Sequence, residues 1–167
     1  MNTNNGLSEA SAFSTLSKAI TTAKDGDTII IVGTIIQDEQ VTLSKSVSIE
    51  GKNNAIINGV DGGTVAKMFI LSGTGLTVSF TDISFKGSIN KSISNGGVFL
   101  ITGDSDIYFS NCVFDGNSTL GDFSGGAIYI SNGRLTATNI LFKNNTAGKS
   151  GGAIYVNASL NPTINLT

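Results

Sequence analysis

Four acidic pairs are the residues whose spacing raises the question of catalysis: Asp25/Asp27, Asp38/Glu39, Asp104/Asp106 and Asp115/Asp122. Two carboxylates across a cleft, one of them protonated, cleave glycosidic bonds. These pairs all read as turn or strand-end positions, where solvated surface carboxylates are the ordinary outcome. A polysaccharide lyase would need a carboxylate cluster holding calcium and an arginine base. The single arginine, Arg134, aligns with Asp106 one repeat earlier, and a surface ion pair worth at most about 1 kcal/mol accounts for both. With His 0 and Cys 1, the chain cannot build a His-based triad, a His-ligated or multi-Cys metal site, or an internal disulfide. Cys112 shares its strand parity with Phe114, which places it as a buried structural thiol. The reading is therefore non-catalytic, with no cofactor and no metal.

The residues that could bind rather than react are tyrosines. Alternation along two related segments points Ile128, Ile130, Ile154 and Val156 inward and leaves Tyr129 and Tyr155 outward, in column with Leu100 and Ile70. Tyr joins a flat apolar face to a polar tip, so an exposed Tyr129–Tyr155–Leu100–Ile70 ridge would suit a glycan or protein surface on a host or neighbouring cell. Packing of β-formers across a flat sheet accounts for the same residues without a ligand. The 10 cations are scattered singly, which excludes a phosphate-binding patch and hence nucleic acid. No apolar stretch nears the roughly 18 residues of a membrane span, so no membrane insertion by this segment is expected. Asn-x-Ser/Thr sequons at Asn90, Asn117, Asn144, Asn157 and Asn165 follow from a chain this rich in those residues, and turn placement would leave them accessible.

The elements that would position these residues are set by a repeat. Gly, Asn, Ser and Thr together supply 76 of the 167 positions. Yet 40% of the chain is hydrophobic, with Ile and Val in short bursts, which is unlike a disordered chain. Gly-Gly-Ala-Ile-Tyr stands at 125–129 and at 151–155, with Gly-Gly-Val-Phe at 96–99. Phe85-Lys-Gly-Ser, Phe114-Asp-Gly-Asn and Phe142-Lys-Asn-Asn lie between. Aligned, the segments offer three strand positions. The first holds Ala55-Ile-Ile, Ile83-Ser-Phe, Cys112-Val-Phe and Ile140-Leu-Phe; the second holds Val41, Met68, Val98, Ala127 and Ala153; the third holds Val78, Ile107, Leu135 and Ile164. Thr28–Val32 is expected as the first strand of the first coil and Val47-Ser-Ile as its third.

Short alternating strands that find partners one repeat later make an all-β protein, a parallel β-helix (solenoid) of about five coils of ~28 residues, rather than a hairpin-paired sandwich. Asn54, Asp82, Asn111 and Asn139, spaced 28, 29 and 28, precede the first-position strands. Asn and Asp tolerate a left-handed corner, and stacked they form a hydrogen-bonded structural ladder. Phe85, Phe114 and Phe142 are expected as an interior aromatic stack.

Residues 1–27 form an N-terminal segment with a capping α-helix, on the stripe Phe13, Leu16, Ala19, Ile20 and Ala23, with Ser8 or Ser11 as N-cap, Lys24 in the last turn and Gly26 as the stop. Residues 28–167 form the coils. Met1-Asn-Thr-Asn-Asn-Gly6 has no basic and apolar regions of a signal peptide. The next ladder rung would fall just past Thr167, so the expectation is a chain truncated at the C-terminus, part of a longer protein.

Gly125-Gly-Ala-Ile128, Gly151-Gly-Ala-Ile154, Phe114-x-x-Asn117 and Phe142-x-x-Asn145 resemble the repeats of chlamydial polymorphic outer-membrane proteins and of archaeal adhesin-like proteins. The match is clear over 96–157; Gly96-Gly-Val-Phe and Phe85-Lys-Gly-Ser88 depart from it. Ala19–Gly33, with its Gly-Asp-Thr-Ile, is similar to the entry of pectate-lyase-like β-helices and suits the archaeal group. The resemblance implies a right-handed parallel β-helix, an extracellular, cell-surface location and a role in attachment. Two other readings are the N-terminal part of a carbohydrate-active β-helix enzyme and a purely structural spacer.

Overall fold

The computed structural model describes residues 5–60, 68–90 and 94–167; Met1–Asn4 of the N-terminal segment lie outside them. Among the described residues every strand pairing is parallel, and beyond the first coil each strand's partner lies about one repeat away. The chain is a parallel β-solenoid of about four full turns. Sheet B stacks five strands, Val41–Thr42, Phe69–Leu71, Phe99–Ile101, Ile128–Ile130 and Ile154–Val156.

Sheet A holds both the third and the first strand positions. Ser48–Gly59 pairs through its first half with Thr77–Thr81, followed by Asp106–Ser110, Arg134–Thr138 and Thr163–Leu166. Through its second half it pairs with Ser84–Lys86, then Val113–Asp115 and Leu141–Lys143. Thr28–Val32 corrects the expected register. It pairs with Ser48–Lys52, in the third-position column, and Thr34–Gln37 then enters the first-position column after a register shift. One ten-residue strand thus runs through the corner, at Gly33 with φ 68°, where the next coil places Asn53 and Asn54 and later coils a single left-handed Asp or Asn.

A fourth column was not foreseen. Ile89–Asn90, Ser118–Thr119 and Thr146–Ala147 form sheet C just after the Phe-x-x-Asn motifs. Two-residue strands, Ile-Asn, Ser-Thr and Thr-Ala, are too short to carry an apolar alternation, so only their recurrence marks them.

The motif residues have separate structural duties. The Phe stack is interior, with ring centroids 4.8 Å apart for Phe85–Phe114 and 4.9 Å for Phe114–Phe142. The next two positions lead into a left-handed turn at Gly87, Gly116 and Asn144. The final Asn turns inward: Asn117 Nδ2 donates to Phe85 O at 3.0 Å and to Asn145 Oδ1 at 3.1 Å, and Asn145 Nδ2 to Phe114 O at 2.9 Å. Ser88, standing where Asn would, donates its amide to Asn117 Oδ1 at 3.1 Å. In Gly-Gly-Ala-Ile the first glycine, Gly125, has φ 77°, and a methyl on the second, Gly126, would collide with the carbonyl oxygen of Gly152. Both glycines follow from close stacking of coil on coil.

The N-terminal helix α1 runs over Leu16–Thr22, shorter than the apolar stripe implies. Thr15, not Ser8 or Ser11, is its N-cap, accepting from Lys18 N at 3.2 Å. Ser8 and Ser11 bond each other, and Ser11 donates to Asn5 Oδ1 at 2.8 Å. At the far end Lys45, rather than Lys24, meets the helix carbonyls, donating to Thr21 O at 2.8 Å and to Ala23 O. Leu16 and Ile20 are buried and join the solenoid core.

Candidate functional site

Register gathers the four ridge residues into one column: Ile70 stands opposite Leu100, Leu100 opposite Tyr129, and Tyr129 opposite Tyr155. The two tyrosine rings stack at 5.4 Å and 17°. The expected exposure does not follow. Tyr129 is 9% exposed, the other three are half-buried, and Asn157 Nδ2 donates to the Tyr129 hydroxyl at 2.9 Å. Large side chains one coil apart cover each other's faces, so this ridge is a packed surface with its polar tip engaged.

The exposed aromatic lies on sheet A. Tyr108, 38% exposed, sits in the outward column Ser48–Ser79–Tyr108–Thr136–Asn165. Its strand neighbours Ile107 and Phe109 are buried. On one side runs the column Thr77–Asp106–Arg134–Thr163, on the other Glu50–Thr81–Ser110–Thr138. Adjacent hydroxyls bond along the columns, Ser79 to Ser48 at 3.0 Å and Thr138 with Thr167 at 3.0 Å. The result is a lattice of hydroxyls, with coils about 4.8 Å apart, around one projecting ring. The signal was available in the sequence: alternation that sends Ile107 and Phe109 inward sends Tyr108 outward, between small residues that cannot cover it.

Arg134 caps this face. Its Nε donates to Asp106 Oδ1 at 2.9 Å and its Nη2 to Oδ2 at 3.3 Å. That bond and the Asp106 charge hold the guanidinium still more firmly protonated. The acidic pairs are placed as turn and surface groups. Asp25 accepts from Ser46 N and Asp27 from Lys24 N, both at 2.7 Å. Asp115 accepts from Asn144 at 3.0 Å and lies 3.3 Å from Lys143. These two partners hold its carboxyl below the usual value, the Asn144 bond most. Among the described residues, no group of three His, Cys, Asp or Glu could hold a metal ion.

The corner ladder stands as follows. Asn54, Asp82, Asn111 and Asn139 all have φ between 53° and 57°. Asn111 Nδ2 donates to Asp82 Oδ1 at 2.9 Å and Asn139 Nδ2 to Asn111 Oδ1 at 2.8 Å. Among the described residues no such bond joins Asn54 to Asp82; two successive left-handed residues, Asn53 and Asn54, turn that corner. Cys112 is buried, its thiol donating to Ser110 O at 3.3 Å, and burial pushes its pKa up to about 11. Of the sequons, Asn90 and Asn117 are 0% exposed, so the expected accessibility fails there because both side chains point into the coil; Asn144 and Asn165 are exposed and Asn157 half-buried.

Fold and surface together define a class: a parallel β-solenoid repeat protein whose motif glycines, phenylalanines and asparagines serve coil stacking, while other side chains form the outward columns. Within that class, residues 111–131 and 139–157 are similar to the Chlamydia polymorphic membrane protein repeat. Each matched segment begins at a corner asparagine, Asn111 or Asn139, and runs through Phe-x-x-Asn and Gly-Gly-Ala-Ile, so the match covers structural coils. Neither a curated protein nor a solved structure matches the chain.

Proposed function

We propose that this chain is a surface-exposed segment of an adhesin-like protein, non-catalytic, which attaches to a neutral glycan on a host or neighbouring cell through the outer face of sheet A. The observation that carries the reading is Tyr108, a projecting ring within a hydroxyl lattice on a solenoid with repeats of polymorphic membrane protein type. Stacking on a sugar ring would supply apolar contact, and Ser79, Ser110, Thr136 and Thr138 would supply hydroxyl partners. Only 13% of the chain is charged, which suits an uncharged ligand. Each contact is weak, and attachment would gain strength from many copies of the protein on one surface.

A glycan array and a cell-binding assay test it. Tyr108→Ala is expected to weaken binding about tenfold, the upper range for one aromatic contact, with the fold intact. The double variant Tyr129→Ala, Tyr155→Ala is expected to lose stability more than binding. Failure of the wild-type protein to bind any glycan or cell would make it a spacer. Incubation with polyuronate and calcium is expected to yield no unsaturated product; any such product would overturn the non-catalytic assignment.

A further inference from the structure

The turn between sheets B and A carries an Asn-Gly dipeptide, Asn132-Gly133. Asn-Gly occurs at 5–6, 58–59, 95–96 and 132–133. In such a pair the glycine amide nitrogen is the nucleophile and the asparagine side-chain carbonyl carbon the electrophile. Glycine is favoured next in chain because it has no side chain to hinder approach.

The four pairs differ in what their glycine amide is doing. Gly6 N is bonded to Ser11 O at 2.8 Å, and Gly96 N to Ser124 O at 3.0 Å. Asn95 is also occupied, its Oδ1 accepting from Ser124 N at 2.8 Å. Asn58 stands between Ile36 and Lys86 in the long strand Ser48–Gly59, and Gly59 ends that strand opposite Gln37. At Gly133 the amide is instead folded back on its own neighbour, donating to Asn132 Oδ1 at 2.9 Å. Asn132 is half-exposed, so hydroxide and water reach it.

We infer that Asn132 is a site of spontaneous deamidation in the folded protein. Hydroxide removes the Gly133 amide proton, and the nitrogen attacks Asn132 Cγ. The tetrahedral adduct expels ammonia, closing a succinimide ring. Water then opens the ring at either carbonyl, leaving aspartate or isoaspartate at 132. The net change is one water consumed and one ammonia released, with no oxidant or cofactor.

The two products have different consequences. Aspartate adds one negative charge to the edge of the sheet A face, two residues from Arg134. Isoaspartate inserts an extra methylene into the main chain where both sides are pinned. Thr163 N donates to Gly133 O at 3.0 Å and Arg134 N to Ser105 O at 2.9 Å. A methyl on Gly133 would already collide with the Ser105 carbonyl, so the turn has no slack. The modification therefore ages the candidate binding face, although its chemistry does not depend on that face having a ligand.

Incubating the 167-residue chain at mildly alkaline pH, with peptide mapping and enzymatic methylation of isoaspartate, tests the inference. Product at 132 is expected at least about tenfold faster than at 95 in the folded protein, since the Gly96 amide must first leave its backbone bond. In urea the two rates are expected to converge. Asn132→Gln is expected to keep the melting temperature and to lose the fastest-forming product. Equal rates at 132 and 95 in the folded chain, or faster product at 95, would overturn the inference from the wild-type map alone.

Discussion

Asn117 shows how much one motif residue carries. It is fully buried, and its amide serves both the Phe85 carbonyl and Asn145, so removing it strands several polar groups away from water. Asn117→Ala is expected to cost about 2–3 kcal/mol in a chemical denaturation midpoint series. Asn111→Ala loses two exposed ladder bonds and leaves alanine in a left-handed corner, expected to cost about 1–2 kcal/mol. If Asn111 proves the costlier of the two, the interior ladder is not the main support. Cys112 is governed by burial. Its folded pKa, about 11, lies above the ordinary thiol value, so the stability it contributes is complete below the unfolded pKa and is lost as pH rises through 9 towards 11. Melting curves of wild type and Cys112→Ala are expected to converge over that window, and alkylation of Cys112 is expected only after unfolding.

At the scale of elements, coil stacking depends on backbone contact that a single methyl would prevent. Gly126→Ala sets a Cβ against the Gly152 and Thr146 carbonyls, both in the next coil, and nothing flexible can yield. It is expected to abolish folding or to lower the melting temperature severely. Gly116→Ala, at φ 66° with open space around it, is expected to cost only the left-handed strain, about 1–2 kcal/mol. Thermal melts of the two variants check this, and equal losses would mean that φ, not coil spacing, explains the double glycine. The strand columns were readable because apolar alternation and period coincide in them. The sheet C strands and the true N-cap, Thr15, were not, since two-residue strands and competing serines give several equivalent local solutions.

Across the whole molecule each coil touches mainly its neighbours, so stability is a sum along the axis rather than a property of one centre. The sum is uneven. Phe69, Phe80, Phe85, Phe99, Phe109 and Phe114 are buried, and the rings stack across adjacent coils and meet edge-on within a coil. In the last coil Val156 and Leu166 are 41% and 56% exposed. Hydrogen exchange is therefore expected to be slowest over Phe99–Asp115 and to be faster over Ile154–Val156 and Thr163–Leu166. Uniform protection would instead indicate one cooperative unit.

By itself the sequence determined the period, the Phe stack, the left-handed corner asparagines and the absence of histidine chemistry, because each depends on residue type or on spacing along one strand. Tertiary structure decided which columns stack and which tyrosine is open. Tyr129 and Tyr108 have the same outward parity; the first lies between Leu100 and Tyr155 and is covered, the second between Ser79 and Thr136 and is not. Exposure on a solenoid belongs to the side chains one coil away, about 28 residues distant in sequence and about 4.8 Å distant in space.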